Sequence, residues 1–284
     1  MAEYDDELSK QYHSVCFYYG VYDTKDVSYR IGNNTQTVSD ETERYYDTWK
    51  HFHMIPTERP IMALPNLNSK LITIPGRASP LNFTNYLTGH PNYANRTGSW
   101  SFYCDNDFVV KKGGFIAFQN DLVNKLHGRI RKIVLRDDPG YFYAGELTVG
   151  EMNSGKERST ISISYNVYPY KKAMMSSMDM WKFDDIDFRD GVIQYFKDIV
   201  VDDGQRIVDV YGSPERISPH ISGSDGMLID KYENDSWVSY GSVPTDSIEK
   251  QSTIIPRLII NEGINRLRFR HNGTVTIDYR RGLL

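Results

Sequence analysis

Only one stretch of this 284-residue chain repeats its apolar residues at helical spacing. In "GGFIAFQNDLVNKLHG" (113–128), Phe115, Phe118, Leu122, Val123 and Leu126 fall on a single stripe, and Gly128 stands where a left-handed C-terminal cap belongs. A helix with an apolar stripe and no second helix to pack on has to cover a sheet. The flanking segments supply it. "YHSVCFYYG" alternates as a first strand, and "YYDTWKHFHMI" resumes the sheet after a polar insert. "KLITIPG" reads as a strand ending in a Pro-Gly turn. In "SWSFYC" Trp100, Phe102 and Cys104 share the face opposite Ser101 and Tyr103. "RIRKIVLR", "YFYAGELTVGEM" and "RSTISISYNVYPY" follow, joined by "DDPG" and "NSGKE" turns.

Beyond Tyr170, "KKAMMSSMDMWKF" has neither a clean period nor turn signals, and the domain boundary belongs inside it. The remainder gives short strand candidates: "GVIQYFKDIVV", "QRIVDVYG", "GMLIDKYE", "SWVSYG", "IPRLIINEG", "INRLRFRHNG" and "TVTIDYRRG". They are separated by Gly, Asn and Asp turns at the spacing of a β-sandwich. The expected fold is mainly β, in two domains.

Charge narrows the function classes. Lys plus Arg number 33 against 37 Asp plus Glu, a net charge of -4, which gives no electrostatic reason to expect nucleic acid or an anionic membrane as the main partner. The start "MAEYDDELSKQ" is acidic where a secretory signal is basic and then apolar, and no run reaches membrane-spanning length, so synthesis in a cytosol is expected. Asn-x-Ser/Thr triplets at Asn33, Asn82, Asn95, Asn234 and Asn272 are then chance matches. Cys16 and Cys104 each lie in an apolar stretch, which points to buried thiols rather than a disulfide or a zinc site.

No motif carries chemistry convincingly. "GEMNSGKE" (150–157) imitates a phosphate loop through Gly150, Gly155 and Lys156, but Glu157 replaces the magnesium-binding hydroxyl and a β-branched strand follows, so a hairpin turn is expected. His51 and His53 would lie on one face of a strand with no third metal ligand nearby. Asp184, Asp185, Asp187 and Asp190 resemble a calcium loop loosely and read as a solvated turn. Asp137, Asp138, Glu146 and Glu151 cluster around one hairpin, but the two aspartates precede Pro139-Gly140, where Asp serves the turn. Lys125, Arg129, Arg131 and Lys132 are expected to satisfy the helix C-terminus and an exposed strand face. Trp181, Trp237 and Tyr240 would stack on sugar rings only if exposed on one sandwich face. No catalytic, cofactor-binding or metal-binding residue is therefore assigned, and no enzyme or cofactor is expected.

Five strings, in order, resemble the N-terminal domain of phage distal tail proteins, a siphophage family of Gram-positive hosts. They are "YHSVCF", "TWKHFHMIPTERP", "LITIPGRASPLNFTNYLTGHPNYANRTGSWSFY", "LHGRIRKIVLRDDPGYFYAGELTV" and "ISISYNVYPYK". The resemblance covers 12–172 apart from an insertion at about 21–45. The ending "LIINEGINRLRFRHNGTVTIDYRRGLL" is similar to the galectin-like β-sandwich that closes many such proteins.

The resemblance implies a β-barrel-like antiparallel domain with one covering helix over 1–172 and a galectin-like sandwich over 173–284. It implies a virion structural protein of the tail tip: a hexameric ring joining the tail tube protein to the tail-tip hub or baseplate, with receptor-binding proteins or host glycans as further partners, and without nucleic acid or membrane insertion. Rings need one patch on each copy to fit a different patch on the next. Ile55 to Gly76, the helix from Phe115 to Leu126, and the corner from Gly89 to Gly98 are expected to shape that ring and its core. The alternative is a carbohydrate-binding accessory tail protein acting through the C-terminal sandwich.

Overall fold

The computed structural model describes residues 11–18, 28–31, 34–37, 45–84, 90–155, 158–179, 194–243, 253–255 and 257–284. The protein is mainly β with antiparallel sheets. It divides into two compact units, Met1–Lys171 and Lys172–Leu284.

The first unit runs β1 (Val15–Tyr18), β2 (Ser28–Ile31), β3 (Asn34–Thr37), β4 (Tyr45–Asp47), β5 (Met54–Pro56), β6 (Leu71–Ile72), β7 (Leu81–Asn82) and β8 (Arg96–Cys104). After these come α1 (Asn106–Lys111), α2 (Phe115–Leu126), β9 (Arg129–Leu135), β10 (Tyr141–Asn153) and β11 (Ser159–Val167). The pair β2–β3 is a small hairpin inside the expected insertion, of which 21–27, 32–33 and 38–44 lie outside the described residues.

The main sheet has the order β4-β1-β9-β10-β11-β8-β5. Its two ends, β4 and β5, are joined through residues 48–53, and the Met54 N–H donates to the Thr48 carbonyl at 2.8 Å. Seven strands laid flat would separate those ends by roughly 29 Å, so the sheet curls almost onto itself. It remains open, because among the described strands no ladder joins β4 to β5. The barrel-like expectation therefore holds as curvature and not as closure.

The helix α2 fills the curl. Phe118, Leu122 and Leu126 are buried with Phe17, Phe52, Met54, Trp100, Phe102, Leu147 and Ile163. Gly128 has φ +64, as its position in the sequence predicts, and its N–H crosses to the Leu147 carbonyl of β10. The turn α1 is a departure from the single-helix expectation: Asp105 caps it by accepting the Asp107 N–H, and Val109 buries against the same core.

Gly145 shows how tightly the ladder is built. A Cβ there would sit 2.2 Å from the Asn166 carbonyl oxygen and 2.4 Å from Val167 Cα, both backbone atoms of β11. A Gly145→Ala variant is expected to lose about 1–3 kcal/mol through the forced separation of β10 from β11, read as a lowered midpoint in urea. An unchanged midpoint would contradict this reading of the ladder.

The strand β12 (Lys171–Ala173) carries the chain onward. The second unit contains β13 (Ile199–Val201), β14 (Gln205–Gly212), β15 (His220–Gly223), β16 (Leu228–Glu233), β17 (Ser236–Ser242), β18 (Thr253–Ile254), β19 (Gly263–Arg270), β20 (Gly273–Asp278) and β21 (Gly282–Leu283). Two four-stranded sheets, β13-β20-β15-β18 and β14-β19-β16-β17, share one core. Ile221, Val275 and Ile277 meet Val210, Ile229, Leu267 and Phe269 in it. "IPRLIINEG" is not the expected strand. Leu258 and Ile260 are buried, but the segment forms only an isolated bridge, Ile217 to Ile260, among the described residues, and side chains hold the rest: Lys231 Nζ donates to the Ile259 carbonyl at 2.7 Å and Asn265 Nδ2 to the Asn261 carbonyl at 2.7 Å.

Candidate functional site

Residues 60–94 carry the feature that most needs an explanation. Pro60 and Met62 turn inward, and three side chains clamp the strap between them. Trp100 Nε1 donates to the Ile61 carbonyl at 2.9 Å, the Tyr165 hydroxyl accepts the Ala63 N–H at 2.8 Å, and an Arg96 Nη donates to the Ala63 carbonyl at 3.0 Å. The strap is thus fixed from beneath, while Ile61 and Leu64 stand outward at 70% and 84% exposure.

From Asn66 to Ala94 the chain forms a two-stranded arm. Ala94 N–H donates to the Asn66 carbonyl and Asn68 N–H to the Asn92 carbonyl, Leu67 bridges Tyr93, and Leu71–Ile72 pairs with Leu81–Asn82. Its turn is the Pro75-Gly76 corner: Arg77 N–H returns to the Ile74 carbonyl at 3.1 Å and Gly76 takes φ +82, the type II geometry that Pro then Gly prescribes. Residues 85–89, including Gly89 of the expected corner, lie outside the described residues.

Along this arm Leu67, Leu71, Ile72 and Ile74 are all exposed. Together with Ile61 and Leu64 they make a run of exposed large apolar side chains with no covering layer among the described residues. Such a run is uncommon on a protein that works alone, and it marks a contact surface. Helix α2 plays a different part, since its stripe is spent on the core and, of its large apolar residues, Ile116 alone is exposed, at 78%.

The chemistry-bearing candidates disperse. His51 and His53 do not share a strand face, because 48–52 is a turn and His53 has φ +48. The alternation in "YYDTWKHFHMI" is interrupted by Asp47, whose carboxylate accepts the Trp49 and Lys50 N–H groups and folds the chain back. His51 Nδ1 then accepts the Asp47 N–H at 2.9 Å, and burial pushes its pKa down. The His53 ring stacks on Phe108 with centroids 4.2 Å apart. Asp137 binds His13 at 2.8 Å and Arg59 at 2.6 Å, and Asp138 accepts from Lys171 at 2.7 Å; Glu146 and Glu151 stand exposed on β10. These are ties around a turn, not a converging acid and base.

Of residues 150–157, the first four end β10, which pairs antiparallel with β11, and Lys156 and Glu157 lie outside the described residues. Arg131 donates to the Lys125 carbonyl at the end of α2, as expected, whereas Lys132 is buried rather than on an exposed strand face. Cys16 and Cys104 are buried and form no disulfide. Asp184, Asp185, Asp187, Asp190 and Trp181 lie outside the described residues. Among the described residues no group of three or more His, Cys, Asp or Glu is placed to hold a metal ion, and no helix is long and apolar enough to cross a membrane.

In the second unit Tyr240 donates to Glu233 at 2.8 Å, and the Trp237 ring is stacked by the Arg268 guanidinium, 4.4 Å from its centroid. Two carboxylates there respond to pH with opposite signs. Burial works to raise Asp230, but hydrogen bonds from Arg268 and Arg270 outweigh it and hold the carboxyl below its usual range. Its contribution to stability is present above the unfolded pKa and lost as pH falls through the depressed folded value. Burial raises Glu215, and Lys172 at 3.3 Å only partly offsets this. Stability from Glu215 is therefore full below the unfolded carboxylate pKa and lost as pH rises through its raised folded value. A Glu215→Gln variant is expected to match the parent at pH 3.5 and to exceed it increasingly toward pH 7, in melting temperature against pH. A parent that gains on the variant over that range would contradict this.

Comparison with known proteins finds no matching family model and no matching curated protein. Among solved structures the chain is similar to the crystal structure of SPP1 Dit (gp 19.1) protein, described there as a paradigm of the hub adsorption apparatus in Gram-positive infecting phages. The identity is 13% and the TM-score 0.48, with 83% of this chain and 96% of that chain covered.

Proposed function

We propose that this chain is a structural subunit of the tail tip of a long-tailed phage, acting by assembly and not by catalysis. Copies associate head to tail, six to a ring, through the first unit; the ring joins the tail tube to the tip hub and its adhesion apparatus, and the second unit is the galectin-like sandwich. The observation that carries the assembly part is the clamped strap and arm from Ile61 to Ile74, with six large apolar side chains exposed on a braced backbone. The five ordered strings quoted from residues 12–172 supply the link to phage tails.

A closed ring uses heterologous contacts, one patch meeting a different patch at a fixed rotation. An open arm suits that geometry because every residue from 66 to 80 is exposed and so available to a neighbouring copy. Light scattering of the purified chain over rising concentration, followed by negative-stain imaging, tests the proposal. A mass six times that of one chain and ring-shaped particles are expected. A single-chain mass at every concentration, with no binding to tail tube or hub protein, would overturn it.

A further inference from the structure

The outward face of the sheet β14-β19-β16-β17 is built as an ordered lattice, and nothing in the tail-tip reading requires it. Along β19, Arg266, Arg268 and Arg270 alternate with the buried Asn265, Leu267 and Phe269 and so share one face. The ladders set their neighbours. Asp209 and Ile207 on β14 oppose Arg266 and Arg268, while Asp230 on β16 opposes Arg268 from the other side and Ser239 on β17 opposes Asp230. Tyr232 pairs with Trp237 in the same face.

Charge within this lattice is unevenly matched. Arg266 has its own carboxylate, with Nε 2.9 Å from Asp209. Arg268 and Arg270 instead share one: Asp230, whose side chain is 2% exposed, lies 2.6 Å from Arg268 Nη2 and 2.8 Å from Arg270 Nε. One carboxylate between two guanidiniums leaves one positive charge in excess, on a side chain that is 39% exposed. Asp230 and the Trp237 ring hold Arg268 rigidly beside it. The Tyr232 ring is 41% exposed next to Trp237.

We infer that this face binds a glycan containing hexuronic acid, with one residue's carboxylate on Arg270 and a ring further along the same saccharide chain against Tyr232, which the register sets level with Arg266. The Nε and Nη2 edge of Arg270 is already held by Asp230, at 2.8 and 3.0 Å, so a ligand carboxylate would meet the guanidinium from its Nη1 side as a charge-assisted hydrogen bond. Aromatic faces accept the C–H surface of a sugar, and alternating Arg, Asp, Ser and Tyr groups offer both donors and acceptors to its hydroxyls. An acidic peptide would bring further negative charge against Asp209. A phosphate monoester, at nearly two negative charges, would overshoot the single excess charge. The inference stands on the second unit alone and does not depend on ring formation.

Calorimetric titration of the full chain tests it with three probes: an oligogalacturonate, a neutral galacto-oligosaccharide of the same length, and galactose 1-phosphate. The oligogalacturonate is expected to bind roughly tenfold or more tightly than the other two, and to weaken as salt is added. Arg270→Ala leaves Asp230 paired with Arg268, so it should remain folded, melting somewhat below the parent because one partner of a buried carboxylate is gone, while losing about tenfold in affinity. Tyr232→Ala, on a different strand, should lose a similar factor. Failure of the oligogalacturonate to bind, equal binding of either control probe, or unchanged affinity in both variants would each overturn the inference.

Discussion

A Leu71→Asp, Ile72→Asp double variant is expected to run at the mass of a single chain under conditions where the parent assembles. Both side chains are exposed in the isolated subunit, on a short ladder whose backbone bonds do not depend on them. Neither contributes to the core of the first unit, so folding should be unaffected. Each would be covered by the neighbouring copy, contributing about 1.5–3 kcal/mol if fully buried. Losing both is worth on the order of 10²–10⁴ in the dissociation constant of each contact. Two unpaired carboxylates carried into an apolar contact weaken it further. A ring multiplies this loss, because every joint must hold at once. The check is light scattering of parent and variant side by side, with circular dichroism to establish that the variant is folded. A folded variant that assembles like the parent would remove the arm from the contact.

The second large effect lies in the fold itself. Asp47→Ala is expected to cost about 3–5 kcal/mol and to lower the melting temperature of the first unit by roughly 10 °C. Asp47 is fully buried, and its carboxylate accepts from Ser14 Oγ at 2.9 Å, from the Cys16 thiol at 3.2 Å and from the Trp49 and Lys50 N–H groups, with Arg136 Nη2 at 3.3 Å. One residue thereby fixes the 48–53 turn and the approach of the two sheet ends. Alanine strands the donors and removes the bond from Asp47 to Arg136, which is only 18% exposed. Asp47→Asn keeps an acceptor for the turn but not the charge, and should fall between the two. Urea unfolding followed by tryptophan fluorescence measures this. A loss below about 1 kcal/mol for Asp47→Ala would show that the turn does not govern the curl.

Much of the framework is legible in the sequence because it rests on local rules. The stripe at Phe118, Leu122 and Leu126, the left-handed Gly128, the type II corner at Pro75-Gly76 and the alternation of Trp100, Phe102 and Cys104 all appear in the structure where residue spacing predicts them. The misses have physical causes. α1 spans six residues, too few to display a helical period, and its only signal is Asp105 as a cap. "KLITIPG" shows apolar character that ordinarily means burial, yet Leu71 and Ile72 are exposed. Sequence patterning cannot tell a side chain buried by its own chain from one reserved for a neighbour. The role of Asp47 was hidden for a related reason: its partners Ser14 and Arg136 lie 33 and 89 residues away.

The outward lattice of the second unit was less legible still. The strands β14, β16, β17 and β19 could be drawn from alternation and turns. That Asp230 stands opposite Arg268 follows only from a register among strands 38 residues apart, which no local pattern encodes. Trp237 could be singled out by residue type, whereas its stacking on Arg268 could not.

The central claim is that the exposed apolar arm exists to be covered by another copy of the same chain. A cryo-electron microscopy map of the assembled particle tests it most directly. The map should show six copies in a ring with Leu71, Ile72 and Ile74 of each copy buried against the first unit of the next. A ring whose arms lie bare in solvent, or a chain that enters the particle as a single copy, would contradict it.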